Sequence, residues 1–428
     1  MLELRIEKLT QGGRGMGRVD GKAVFVPLTC PGDLVRCRIT TDKARHAAAE
    51  LLEIVEPSTL RREPACPLFG ACGGCQWQHL PYPVQCDWKE QLFRELLCRR
   101  GIAAEADIRP LLRAPEEYHY RNRAQFKCRM TDRGMVVGFY RQGSHFVVDA
   151  ERCLLIEPPI QKVLSFLRAE LATAPTPSAI PQLDIDCGDD NVVRVILHAL
   201  PEAGAALRPW LRARAQQGGF AAFLQTGRKN TLQHVWGTGH LVHRVGPDRI
   251  EMQAGPGCFT QVNRLQNSAL VEAVLTAARL QGTEKVLDLF CGIGNFSLPL
   301  ARRAAQVTGV EDFAPAIEDA RRNGCRNRLG NLHFFAEDAR GAIARHQSAG
   351  PFDLVVLDPP RSGCYPIMQE LLRARSRRIL YISCDPATLA RDLNLMVHNG
   401  YRVTESLPVD LFPQTWHLES LSLLELPG

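Results

Sequence analysis

Lysine is scarce in this 428-residue chain, supplying eight of its 52 cationic side chains; arginine supplies the rest. The bias favours groups that grip phosphates in a bidentate fork and stack on bases. With a net charge of +6, the composition fits a nucleic-acid partner without demanding one. Long apolar runs are missing too. None approaches the ~18 residues that a membrane span needs. The opening MLELRIEKLT lacks the basic-then-apolar pattern of a secretory signal. The expected protein is therefore cytosolic, with no membrane partner. A Walker lysine is also lacking. The stretch GGRGMG (12–17) has neither the Lys-Ser/Thr pair nor the strand–helix setting of a triphosphate loop.

Cysteine, by contrast, is plentiful, with 15 residues. In a long cytosolic chain this points to metal ligation or catalysis rather than disulfides. The length implies two or three domains. Residues 1–57 combine turn glycines with short β-forming runs such as AVFV (23–26), which predicts a small β barrel of a kind that often binds RNA. Cys66, Cys72 and Cys75 follow as C-x5-C-x2-C. Three thiols this close can hold one centre, and thiolate ligation leaves zinc or iron–sulfur. The spacing is not the paired C-x2-C of a zinc ribbon, so a [4Fe–4S] cluster is favoured. Cys153 is the candidate fourth ligand, with Cys86, Cys98 and Cys128 as competitors. In YHYRNRAQFKCRM (118–130), Arg121, Arg123, Lys127 and Arg129 interleave with aromatics, as in a strand with a basic face.

From about residue 250 strands and helices alternate. Buried runs end at Phe290, Glu311, near Asp338, at Asp358 and at Cys384, and a hairpin closes the chain. The expected fold class is α/β: a doubly wound, Rossmann-like sheet with a late antiparallel pair. Ligands of such sheets gather at the carboxyl ends of the strands. The loop Cys291-Gly-Ile-Gly294 follows the first strand. Glu311 is placed to accept ribose hydroxyls and Asp338 to meet an adenine amino group, which suits S-adenosylmethionine better than a dinucleotide. Cys384 lies where a buried strand opens into a turn before Pro386, a position that a core cysteine does not require.

At this point the motifs carry a resemblance. FTQVN (259–263), DLFCGIGNF (288–296), GVE (309–311), LDPPRSG (357–363), YISCDPATLARD (381–392) and LFPQTWHLES (411–420) resemble the S-adenosylmethionine-dependent RNA (uracil-5)-methyltransferases. A TRAM barrel plus an iron–sulfur motif is similar to the branch that modifies large-subunit (23S) rRNA. The resemblance implies three domains: a TRAM-like barrel (1–57), a central α+β domain with the cluster (58–250) and a methyltransferase domain (251–428). It implies that Gln261, Phe290, Asn295, Glu311, Asp338 and Asp358 contact S-adenosylmethionine. It further implies that Cys384 is the nucleophile and Glu419 the proton acceptor. Cys66, Cys72, Cys75 and Cys153 would hold the cluster, and Phe259 would stack near a flipped base. The implied enzyme acts as a monomer on one uridine of 23S rRNA. The alternatives are the same reaction on tRNA and a non-catalytic RNA-binding or assembly factor.

Overall fold

The computed structural model describes residues 1–227, 231–347 and 351–427. The chain begins with a six-stranded sheet spanning Leu2–Arg5 to His46–Glu56. Its neighbours pair antiparallel, except that Lys22–Val26 lies parallel to His46–Glu56. Leu4, Val24, Val26, Val35 and Cys37 fill its centre. The GGRGMG glycines serve packing here. A Cβ on Gly15 would lie 2.1 Å from Thr29 Oγ1, and one on Gly17 would lie 2.2 Å from the Arg5 carbonyl.

A second sheet has seven strands. Their order across the sheet is Leu232–Trp236, Ala221–Thr226, Val193–Ala199, Gln182–Cys187, Arg123–Thr131, Gly134–Tyr140 and Val147–Asp149. Helices Pro158–Glu170 and Gly204–Gly218 cover one face through Ile160, Leu164, Leu207 and Leu211. Strand Arg123–Thr131 alternates as its sequence predicts. Ala124, Phe126 and Cys128 are buried, while Arg123, Lys127 and Arg129 point away from that core. Arg121 lies ahead of the strand.

The third large sheet carries the candidate site. Across it run Leu332–Ala336, Gln306–Glu311, Lys285–Leu289, Leu354–Leu357, Arg378–Ser383, Glu419–Glu425 and Arg402–Val409. The first five are parallel and the last two antiparallel. Parallel strands need cover on both faces, so they read as unbroken apolar runs. Leu354–Leu357, LVVL, is buried throughout. The strand order reverses between Lys285–Leu289 and Leu354–Leu357, the crevice where such sheets take ligands.

The stretch 58–250 is not one packing unit. Helix Tyr82–Arg99 lays Cys86, Phe93 and Leu97 into the core of the third sheet, against Leu389, Leu393 and Met396. Each such apolar side chain stabilises by roughly 1.5–3 kcal/mol when fully buried. Residues 108–112 run beside the outer strand, with Arg109 N–H donating to Ser406 O and Leu112 N–H to Pro408 O. Hairpin Leu241–Val245/Ile250–Ala254 packs on helices Arg264–Ala278 and Ala314–Arg326.

Candidate active site and cysteine cradle

Strand register brings Cys384 to Glu419. The pair Ser383–Ser420 closes the ladder between Arg378–Ser383 and the antiparallel strand opening at Glu419. Cys384 directly follows Ser383 and Glu419 directly precedes Ser420, so both adjoin the last pair of this ladder, and the Glu419 charge acts on the Cys384 thiol. Glu419 is 2% exposed, while Cys384 is half-buried. Asp385 then caps helix Pro386–His398. Its carboxylate accepts from Ala387 N–H (3.0 Å) and Thr388 N–H (2.9 Å), with Pro386 in the first turn. Such a cap contributes about 1 kcal/mol. It also occupies the amides that would otherwise favour a thiolate at the helix start.

The charge near Cys384 comes instead from Arg361, in the loop after Leu354–Leu357. Thr388 Oγ1 donates to the Arg361 carbonyl (3.1 Å), and Arg391 holds the Ser362 carbonyl (2.8 Å). Burial pushes the Cys384 thiol up to about 11. The Glu419 and Asp358 charges add to the rise, and Arg361 opposes it. Burial holds Glu419 well above the ordinary carboxylate range; Asp358 reinforces this and Arg361 again opposes it. Asp358 is raised to about 7 by burial, then by Asp288 and Glu311. Sequence reasoning missed Arg361 as the cation of this cluster. Its signal was its place after Asp-Pro-Pro, four residues along the chain from Leu357.

A cleft next to this cluster is lined by Gln261, Phe290, Asn295 and Asp358, and by Phe259, which is 64% exposed. The loop geometry is demanding. Phe290 has φ +64°, left-handed and unfavourable for an aromatic residue. Gly294 has φ +100°, and a Cβ there would lie 1.8 Å from Leu298 Cδ1, so no side chain fits. Asn295 and Asn267 exchange amide hydrogen bonds of 2.9 and 3.1 Å. Glu311 accepts from Gly292 N–H (3.3 Å) and Phe313 N–H (3.1 Å), which fixes it beside the loop. Asp338 sits apart. The strand ends at Ala336, and exposed Asp338 accepts from Arg340 N–H (2.9 Å) at the start of helix Ala339–Gln347.

Cys66, Cys72, Cys75 and Cys153 line one cavity of about 270 Å³, while Cys86, Cys98 and Cys128 lie outside its lining. Burial raises Cys75 to about 12 and also lifts Cys72 and Cys153. Among the described residues no His, Cys, Asp or Glu group is drawn together as a single-ion site.

Comparison with known proteins places this geometry. A sequence profile described as tRNA (Uracil-5-)-methyltransferase matches residues 227–426. A second, tRNA (uracil(54)-C(5))-methyltransferase, TRAM domain, matches residues 2–60. The chain is 36% identical to the 23S rRNA (uracil(1939)-C(5))-methyltransferase RlmD of Alkalilimnicola ehrlichii, over 99% of this chain and 96% of that one. It is 37% identical to the RlmD of Acidithiobacillus ferrooxidans, over 98% and 96%. The chain belongs to the RNA uracil-5-methyltransferase family. It is thus an S-adenosylmethionine-dependent methyltransferase with an N-terminal TRAM domain. Its fold also matches the crystal structure of Pyrococcus abyssi tRNA (uracil-54, C5)-methyltransferase in complex with S-adenosyl-L-homocysteine. That match has a TM-score of 0.75, 24% identity, and covers 99% of this chain and 100% of that one.

Proposed function

We propose that this methyltransferase converts a uridine of 23S rRNA to 5-methyluridine through a covalent adduct on Cys384. What supports the reading is that Cys384 and Glu419 adjoin the last pair of one ladder and that Glu419 and Asp358 both act on the Cys384 thiol, with Asp358 in the lining of the cleft. The 23S rRNA substrate rests on relatives similar along nearly their whole length, whose names place their reaction at uracil 1939.

Carbon 5 of uracil is a poor nucleophile. The Cys384 thiolate adds to carbon 6 and leaves carbon 5 with enolate character. S-adenosylmethionine, when bound, supplies an electrophilic methyl. Gln261, Phe290, Asn295, Glu311 and Asp358 would hold it, and Asp338 would reach it from the edge. Glu419 takes the proton from carbon 5, the carbon–sulfur bond breaks, and the thiolate returns to Cys384. Sulfur suits this as a strong nucleophile and a workable leaving group. A carboxylate whose pKa is held up by burial is, once ionised, a stronger base than an exposed one. Phe259, exposed at the cleft mouth, would stack on the extruded base.

The cysteine cradle suits a [4Fe–4S] cluster held by Cys66, Cys72, Cys75 and Cys153. Four thiols distributed around a cavity match a polynuclear centre better than one ion. Its role would be structural or in RNA docking. The barrel (1–57), central part (58–250) and methyltransferase part (251–428) divide RNA docking from chemistry. We take the protein as a cytoplasmic monomer; no described helix is long and apolar enough to cross a membrane.

The test uses RNA carrying 5-fluorouridine, whose fluorine cannot leave as a proton. With S-adenosylmethionine, the wild type should form an adduct that survives denaturing electrophoresis, and Cys384→Ala should form none. An adduct in Cys384→Ala would remove Cys384 from its role.

A further inference from the structure

The lining of the cofactor cleft includes residues that the reading above leaves unused, among them Asn122, Asp189, His243 and Arg264. Two buried acceptor-bearing groups among these lack partners. Asn122 is 2% exposed. Its amide nitrogen donates to the Gln261 carbonyl (3.2 Å), which fixes the amide orientation and leaves Oδ1 with no donor. His243 is 7% exposed, and its Nε2 has no partner. The other ring nitrogen, Nδ1, lies 3.8 Å from Asp189 Oδ1, which favours the proton on that side. Burial lowers the ring's pKa, so it is neutral near pH 7. Nε2 is then a lone-pair acceptor. Asp189 is held in place by Arg244 N–H (2.8 Å) and Arg264 Nη1 (2.8 Å), and Arg264 also pairs with Glu157.

Buried polar atoms are almost always satisfied, and leaving one unpaired costs about 1–3 kcal/mol. Arg264 Nε on the same lining also lacks a partner, but it is a donor whose guanidinium already pairs with Asp189 and Glu157. The two orphan acceptors are left for a donor carried by the ligand, and a cationic one suits the Asp189 carboxylate behind His243. An ammonium group has three N–H donors and no acceptor. The cofactor assigned to this cleft carries one such group, on its amino-acid tail. We propose that Asn122 Oδ1 and His243 Nε2 receive the α-ammonium of S-adenosylmethionine, with Asp189 orienting the imidazole. The proposal rests on the cofactor reading and deepens it. It assigns the cofactor's amino-acid tail to Asn122, just ahead of strand Arg123–Thr131, and to the 241–254 hairpin, outside the motif residues 261–358.

Isothermal titration of the full-length protein decides it with two probes. S-adenosylhomocysteine carries the ammonium. 5′-Methylthioadenosine keeps the nucleoside and sulfur and lacks the amino-acid head. His243→Leu should weaken S-adenosylhomocysteine tenfold or more and leave 5′-methylthioadenosine within twofold. His243→Gln, whose amide oxygen restores an acceptor, should recover most of the loss. Parallel weakening of both probes, or an unchanged S-adenosylhomocysteine affinity, would overturn the assignment. Should His243→Leu not fold, the wild type still decides: the desamino analogue of S-adenosylhomocysteine must bind at least tenfold more weakly than the parent, and equal binding refutes the proposal. A wild type that binds neither S-adenosylhomocysteine nor 5′-methylthioadenosine removes the cofactor reading itself, a distinct result.

Discussion

Removing Arg361 should slow the addition of Cys384 to uracil, and the size follows from the charges around the thiol. With the thiol at about 11, roughly one molecule in 3,000 is ionised at pH 7.5. Arg361 opposes the rise at both Cys384 and Glu419. Its guanidinium is exposed, so screening cuts its Coulomb energy to about 1 kcal/mol, roughly 0.7 of a pKa unit. Arg361→Ala should therefore reduce the thiolate, and the addition rate, about fivefold. Arg361→Lys keeps the charge and should stay within about threefold. The assay is single-turnover release of tritium from carbon 5 of [5-³H]uridine RNA at saturating RNA. Between pH 6.5 and 8.5 the wild-type rate should climb about tenfold per pH unit, because the window lies below the thiol's pKa. The Arg361→Ala line should run parallel and lower. A flat wild-type profile would mean that the thiolate is already formed. Coincident lines would mean that Arg361 does not act on it.

Three further expectations follow from buried groups. Asp288 is fully buried, and burial raises its carboxyl to about 7, above an unfolded value near 3.9. A raised pKa stabilises the fold below the unfolded value and loses that contribution as pH climbs toward 7. The melting temperature of Asp288→Asn relative to wild type should thus rise from pH 5 to pH 8, by about 2.5 kcal/mol in stability; a constant gap would contradict the burial argument. Cys72→Ser should lose bound iron and the broad visible absorbance, whereas Cys98→Ser should keep both. Stoichiometric zinc in a colourless wild type would exclude the iron assignment. Lys89 Nζ sits 2.6 Å from Asp410 Oδ1 with both side chains almost fully buried. Lys89→Met should cost about 3–5 kcal/mol by leaving an uncompensated carboxylate, and Lys89→Met/Asp410→Asn should restore most of it. Equal denaturant midpoints for single and double variants would show that the pair is not what matters.

The parts legible in the sequence share one property: the constraint is local. The parallel strands are buried on both faces, so runs such as Leu354–Leu357 read as apolar without alternation. Gly294 has no room for a side chain, and the glycine loop is visible for that reason. At Asp338 local reasoning leaves two roles open. An aspartate just past a strand can bind a ligand or cap the next helix, and here its carboxylate meets Arg340 N–H. The orienting groups were not legible at all. Lys89 and Asp410 are 321 residues apart, and no periodicity links them. Arg361 and His243 are ordinary residues until tertiary packing gives them neighbours.

The segment 410–418 explains why a cysteine cradle belongs in this enzyme. Gln414 is buried with φ +70°, a strained state for a side-chain residue that costs of order 1–3 kcal/mol. Its surroundings hold it there. The Gln414 carbonyl accepts from Gln76 N–H and Trp77 N–H, both at 3.1 Å, immediately after Cys75. Its side chain takes bonds from Gln85 Nε2 (3.0 Å) and Arg62 Nη2 (3.1 Å) and donates to Glu117 (3.1 Å). The N-terminal barrel reaches the same segment. Trp77 Nε1 donates to Gly13 O (3.1 Å), and a Cβ on Gly13 would lie 2.8 Å from Trp416 Cδ1. Barrel, cysteine loop and catalytic sheet therefore meet at Gly13, Trp77 and Gln414, five residues before Glu419. The conformation of the cysteine loop fixes the two amides that hold Gln414, and Gln414 fixes the chain entering Glu419. If Cys72 and Cys75 bind the proposed centre, it would need no redox role to matter for catalysis: by rigidifying residues 66–77 it would set the position of Glu419, the proposed proton acceptor, and its loss should appear first as a slower proton-removal step, with the Cys384 adduct still forming.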